Sequence, residues 1–98
     1  MTKTIGAIKT KAVPILKEAG VTRSAVFGSF VRGENTADSD VDLLVEVPRG
    51  MGMFKFVALE RRLGEALGRK VDLISYKALH PLLKDRILNE QVSIYEQR

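Results

Sequence analysis

Two short stretches of the sequence carry residues that could bind phosphates and metal ions. Gly28-Ser29 is followed, after ten intervening residues, by Asp40-Val41-Asp42, and a third aspartate, Asp72, lies in the later segment KVDLIS. Side chains alternate along a strand, so Asp40 and Asp42 should point to the same face, about 6.6 Å apart. Two negative charges at that separation repel by roughly 2.5 kcal/mol at an effective dielectric near 20. Such carboxylates either stay solvated at the rim of the protein or are neutralised by a cation.

The chemistry that fits these residues is phosphoryl transfer. Carboxylate oxygens favour magnesium, which keeps several waters and is commonly shared with substrate phosphates. Two such ions can hold the attacking and leaving oxygens of the reaction. Gly28 would let the backbone approach a phosphate closely, and Ser29 would add a hydroxyl donor. Arg32, one helical turn later, could reach the same phosphates.

Each of these residues also has an ordinary structural interpretation. A Gly-Ser pair is usually a turn, Arg32 could pair only with Glu34, and Asp72 could be a rim residue of its strand. Asp38 fits loop chemistry better than metal binding. The combination of Gly-Ser, ten residues, Asp-x-Asp and a third aspartate in a later strand is more specific than any of its members.

Two competing motifs fit less well. The segment DSDVDL begins like a calcium-binding loop, but Leu43 stands where the glycine belongs and Arg49 where the glutamate belongs. His80, the only histidine, precedes Pro81 at a predicted helix start, so we interpret it as structural rather than catalytic. A serine–histidine–acid hydrolase therefore has no support.

The hydrophobic pattern predicts the order α-β-(short α)-β-α-β-α, an α/β fold. Apolar residues recur at helical spacing over 8–19, with Pro14 expected to kink that helix or to start its regular part. The predicted strands are TRSAVFG, residues 40–47 and KVDLIS, while the tail VSIYEQR is left as either an irregular segment or a further strand. A helix long enough for a crossover makes the second and third strands parallel. If the first two are antiparallel, Gly28-Ser29 and the three aspartates meet at one edge.

Composition suits one domain spanning residues 1–98. The chain is 45% hydrophobic and 29% charged, and it has no cysteine for a disulfide or a thiolate metal site. Neither a secretory signal nor an apolar run of about 20 residues is present, so we expect a cytoplasmic protein without a membrane segment. The net charge of +4 would help attract a polyphosphate. A nucleic-acid partner is not favoured, because no basic stripe interleaved with aromatic residues is present.

The segments GSFVRG and SDVDLLVEV, together with GRKVDLIS, resemble the minimal nucleotidyltransferase family of the DNA polymerase β superfamily. The resemblance implies a three-stranded mixed β-sheet flanked by helices, similar to the polymerase β palm. It also implies magnesium-dependent transfer of AMP from ATP. By this likeness Asp40 and Asp42 bind two magnesium ions and Asp72 completes one site, all three being catalytic. Gly28, Ser29 and Arg32 would bind the nucleotide.

The same resemblance suggests a partner. Minimal members of the family often act as antitoxins of HEPN-domain toxins, and some adenylylate them, so we expect the acceptor hydroxyl to lie on such a protein rather than within this short chain. The alternative is a non-catalytic antitoxin that neutralises the toxin by binding alone. An enzyme acting on a small molecule or on RNA is a third hypothesis. The acceptor, the preferred nucleotide and the oligomeric state are not determined by the sequence.

Overall fold

The helices and strands follow the hydrophobic pattern of the sequence. The computed structural model describes residues 2–36 and 38–97. Within these ranges the elements are α1 (Thr2–Glu18), β1 (Arg23–Phe27), α2 (Ser29–Arg32), β2 (Val41–Glu46), α3 (Met53–Leu67), β3 (Val71–Ser75), a 3-10 turn (Tyr76–Ala78), α4 (Pro81–Glu90) and β4 (Val92–Glu96). Every helix in this part of the chain is too short or too polar to cross a lipid bilayer.

The sheet is mixed and has the strand order β3-β2-β1-β4. β1 pairs antiparallel with β2, and β2 pairs parallel with β3 through the α3 crossover, as the sequence predicts. The α/β fold class is confirmed, but the predicted count of three strands is one too low. The C-terminal tail forms β4, which pairs antiparallel with β1 and covers an edge that would otherwise be exposed.

Helix α1 begins earlier than the periodicity indicates and continues through its proline. It starts at Thr2, and Pro14 lies inside it rather than at its beginning. Pro14 is exposed, so the carbonyl that lacks a helical partner at this point can bond to water. The apolar stripe of α1, which includes Ile8, Ala12 and Leu16, is buried.

The core lies between the two long helices and one face of the sheet. Val41, Leu43 and Val45 of β2 are buried in the same cluster as α1 and as Leu59 and Leu63 of α3. Because side chains alternate along a strand, the even-numbered residues of β2 project from the opposite face. Asp42 is therefore directed away from the helix-covered core and toward the side on which a ligand could bind.

Candidate active site

Asp42 lies at the point where three strands meet. In the register of the sheet it pairs with Phe27, the last residue of β1, and with Asp72 of β3. Gly28 follows Phe27 directly, and Asp40 precedes β2 on the same face as Asp42. The structure thus brings the Gly-Ser pair and the three aspartates to one end of the sheet, which is the convergence that the strand order predicts.

Gly28 adopts a conformation that excludes a side chain. Its backbone angles are φ 81° and ψ −150°, a region that is essentially restricted to glycine. A Cβ atom at this position would lie 3.1 Å from Cγ of Asp42 and closer still to its Oδ2. The turn therefore presents bare backbone beside the central carboxylate, and the predicted helical turn follows at once as α2, which begins at Ser29.

The surroundings of Asp42 disfavour its charged form. Burial and, after it, the nearby charges of Asp72 and Asp40 together raise the pKa of Asp42 to about 6. Lys70 Nζ lies 4.0 Å from Asp40 Oδ2, but the lysine side chain is largely exposed. The three aspartates therefore repel one another, and a bound cation would lower that repulsion.

The donor set fits magnesium as an open site. Among the residues that the structure describes, no group of three or more acidic, histidine or cysteine side chains is arranged so that it could hold a metal ion by itself. Asp42 and Asp72 are register partners and Asp40 stands two residues before Asp42, so only hard carboxylate oxygens are offered. Magnesium usually binds through one or two carboxylates and completes its coordination with waters and substrate phosphates. The carboxylates would therefore suit a magnesium ion that is also bound by the phosphates of a substrate.

Arg32 has more partners than the sequence indicates. Its Nε donates to Glu34 Oε1 at 2.8 Å, the ordinary pairing considered above. Its Nη1 also donates to both carboxylate oxygens of Glu90, at 3.0 and 3.1 Å, although Glu90 lies 58 residues further along the chain. These hydrogen bonds to Glu34 and Glu90 raise the pKa of the guanidinium. Arg32 is therefore held at the edge of the site by two carboxylates.

Two further residues that sequence reasoning missed support the site. Glu90 Oε1 accepts a hydrogen bond of 2.7 Å from the backbone N–H of Gly28. Arg69 donates through Nη1 to the carbonyls of Thr36 and Ser39, at 3.2 and 3.3 Å. Arg69 thereby braces the loop that leads into Asp40. No local pattern reveals either role, because both depend on contacts between segments that are distant in sequence.

Asp38 and His80 lie where the sequence predicts. Asp38 is exposed in the loop before β2. His80 is the N-cap of α4, and its Nδ1 accepts a hydrogen bond of 3.1 Å from the backbone N–H of Leu82. The structural interpretation of His80 is therefore confirmed.

Comparison with known proteins identifies the family. Residues 9–94 match the nucleotidyltransferase domain. The chain belongs to the minimal nucleotidyltransferase family. It is 41% identical to the protein adenylyltransferase MntA of Thermococcus cleftensis, over 76% of each chain. It is 48% identical to MJ0435 of Methanocaldococcus jannaschii, provisionally named a protein adenylyltransferase, over 92% of this chain and 97% of the relative. The protein is thus a nucleotidyltransferase enzyme.

Solved structures share its architecture. A protein provisionally described as a minimal nucleotidyltransferase is 34% identical, superposes with a TM-score of 0.79, and is matched over 92% of each chain. The MNT antitoxin complex with a tri-AMPylated HEPN toxin of Shewanella oneidensis contains a chain with a TM-score of 0.72 at 17% identity. That match covers 92% of this nucleotidyltransferase and 71% of the other chain, and at such low identity it establishes the fold alone.

Proposed function

We propose that this nucleotidyltransferase transfers AMP from ATP, with magnesium, to a hydroxyl group of a partner protein, and that the partner is a HEPN-domain toxin. The observation that carries the proposal is the register pairing of Asp42 with Asp72 beside the bare backbone of Gly28. This arrangement sets mutually repelling carboxylates next to a turn that a phosphate can approach. Such an arrangement gives no benefit to folding, and it suits a site completed by magnesium and a triphosphate.

Each residue of the site has a role in this reaction. Asp40 and Asp42 would hold two magnesium ions, and Asp72 would complete one of the two sites. When bound, magnesium would neutralise the triphosphate and stabilise the charge that develops during transfer. Gly28 offers close backbone approach, Ser29 a hydroxyl donor and Arg32 a permanent positive charge toward the phosphates. Because Asp42 and Asp72 lie on paired strands, their positions are fixed by the sheet.

The bond changes balance without a further reactant. The acceptor hydroxyl oxygen attacks the α-phosphorus of ATP, and the bond from that phosphorus to the β-phosphate bridging oxygen breaks. Pyrophosphate leaves, and AMP remains joined to the acceptor through a phosphodiester. The hydroxyl proton must be removed, and Asp72, at the rim of the site, is the carboxylate we assign to helping its departure.

A partner protein as acceptor is supported by the relatives. MntA of T. cleftensis is named a protein adenylyltransferase, and the S. oneidensis toxin in the fold relative's complex is AMPylated. The second candidate is an antitoxin that neutralises the toxin by binding alone, and the exposed apolar side chains of Phe54 and Leu82 suit the contact with another protein that both candidates require. Both candidates bind the same partner, and they differ in whether the aspartate carboxylates are needed to neutralise it.

Neutralisation of toxicity separates the two candidates. A candidate HEPN-domain toxin is co-expressed with the wild type or with the double variant Asp40→Asn/Asp42→Asn, and growth and co-purification are measured. If AMP transfer neutralises the toxin, the double variant still co-purifies with it but no longer restores growth. Full restoration of growth by the double variant would support the binding-only antitoxin. A HEPN protein that neither variant binds or modifies would refute the proposed partner.

A further inference from the structure

Glu90 carries a charge into a partly buried position at the end of α4. It is the last residue of α4, where a negative charge faces the negative end of the helix dipole. Its side chain is only 16% exposed, and its charge contributes to raising the pKa of Asp42. Among the described residues α4 contributes none that is buried, so packing of this helix does not force Glu90 into the site. Burial raises the pKa of the Glu90 carboxyl, but the hydrogen bonds with Gly28 and Arg32 and the charges of Arg32 and Arg86 together lower it, so the ionised carboxylate is held in place by these groups.

Those hydrogen bonds fix two groups that the nucleotide needs. Glycine has the most permissive backbone of any residue type. The 2.7 Å hydrogen bond from the N–H of Gly28 to Glu90 Oε1 restricts the conformation of this turn. The guanidinium of Arg32 is held at Nε by Glu34 and at Nη1 by Glu90. Within the described chain no residue accepts a hydrogen bond from its Nη2, so this nitrogen remains available to a phosphate oxygen.

We propose that Glu90 is a positioning residue for the nucleotide site: its carboxylate orders the Gly28 turn and the Arg32 side chain before ATP binds. The inference rests on the proposed function of the same site. Ordering both groups in the free protein lowers the entropy that is lost when the triphosphate binds. The opposite hypothesis is that the carboxylate stands in for a phosphate and hinders binding. The two hypotheses predict changes of opposite sign when Glu90 is replaced.

Three substitutions separate the geometry of Glu90 from its charge. Glu90→Gln keeps an Oε1 acceptor for both Gly28 N–H and Arg32 Nη1 but removes the charge. Glu90→Asp keeps the charge and draws the carboxylate back by one methylene, and Glu90→Ala removes both features. Asp85→Ala, on the exposed side of the same helix, is the matched control for loss of one negative charge. The dissociation constant of ATP with magnesium is measured at a temperature where melting curves show every variant folded.

We expect Glu90→Ala and Glu90→Asp to weaken ATP binding by about tenfold or more, because the hydrogen bonds that order Gly28 and Arg32 are lost. The dissociation constants of Glu90→Gln and Asp85→Ala should stay within about threefold of the wild-type value. Glu90→Gln keeps the hydrogen bonds, and Asp85→Ala leaves the whole site unchanged. In an Arg32→Ala background the effect of Glu90→Ala should shrink, because part of it acts through Arg32. A residue that served stability alone would shift the melting temperature and leave these dissociation constants unchanged.

Several results would overturn the inference. Tighter ATP binding by both Glu90→Gln and Glu90→Ala would mean that the carboxylate blocks the site. Unchanged binding by Glu90→Asp and Glu90→Ala would mean that it has no part in the site. If Glu90→Ala does not fold, Glu90→Asp decides between these outcomes. If neither the wild type nor any variant binds ATP, the proposed function is refuted and the inference falls with it. Loss of binding in the Glu90 variants alone leaves the proposed function intact.

Discussion

Replacement of Asp42 by asparagine should stabilise the metal-free protein at neutral pH. Burial, followed by the charges of Asp72 and Asp40, raises the pKa of Asp42 to about 6 from an ordinary value of 3.8. Each pKa unit corresponds to about 1.4 kcal/mol, so the full difference corresponds to at most about 3 kcal/mol. Asp42 is only partly buried, and solvent screening reduces the expected gain to about 1 to 2 kcal/mol. For a chain of this size, each kcal/mol raises the melting temperature by about 4 to 8 °C.

The dependence of this gain on pH follows from the direction of the pKa change. The folded protein holds the proton of Asp42 more tightly than the unfolded chain does. Asp42 therefore lowers the free energy of unfolding increasingly as pH rises from about 4 to about 6. Asparagine does not titrate. The stability difference between Asp42→Asn and the wild type should therefore be near zero at about pH 4 and complete above about pH 6.

Thermal melting in the presence of a chelator, at about pH 4 and about pH 7.5, measures this difference. Asp85→Asn, a matched change at an exposed aspartate of α4, should leave the melting temperature nearly unchanged at both pH values. Loss of stability in Asp42→Asn at neutral pH would show that Asp42 supports the fold. An equal gain at both pH values would show that the effect is not electrostatic. Either result would refute the reasoning.

Two more predictions concern the same end of the sheet. Magnesium with ATP at about 100 times its dissociation constant should stabilise the wild type by about 2.7 kcal/mol, seen as a higher melting temperature. Asp42→Asn should lose that gain, and retention of it would exclude Asp42 as a ligand. Gly28→Ala should reduce the free energy of unfolding by about 1 to 3 kcal/mol, through its positive φ and the contact with Asp42. Gly50→Ala, also at positive φ but with open space around it, should cost less in urea melts, and equal losses would mean that the contact contributes nothing.

The parts that could be predicted from sequence are those that local chemistry determines. Alternation places Asp40 and Asp42 on one face of a strand, and the long α3 crossover makes β2 and β3 parallel, which brings Asp72 beside Asp42. The Gly-Ser turn follows from residue type, and the N-cap role of His80 follows from its place before Pro81. These features together were enough to locate the candidate site, although the roles of its residues remain predictions.

The parts that could not be predicted depend on contacts between distant segments. β4 is a short edge strand in which only Ile94 is buried, so the apolar signal over these five residues is too weak to decide between a tail and a further strand, and the strand count came out one too low. Glu90 reaches Gly28 across 62 residues, and an acidic residue at the end of a helix gives no local indication of that contact. The bracing of the Asp40 loop by Arg69 is likewise set by tertiary structure.

The intact mass of the partner protein tests the central claim most directly. A purified candidate HEPN-domain toxin is incubated with the nucleotidyltransferase, ATP and magnesium, and the mass of the toxin is then measured. We predict an increase by one or more AMP units with the wild type, and none with Asp40→Asn/Asp42→Asn or in the presence of a chelator. An unmodified partner after incubation with a folded, ATP-binding wild type would contradict the claim that this site adenylylates that protein.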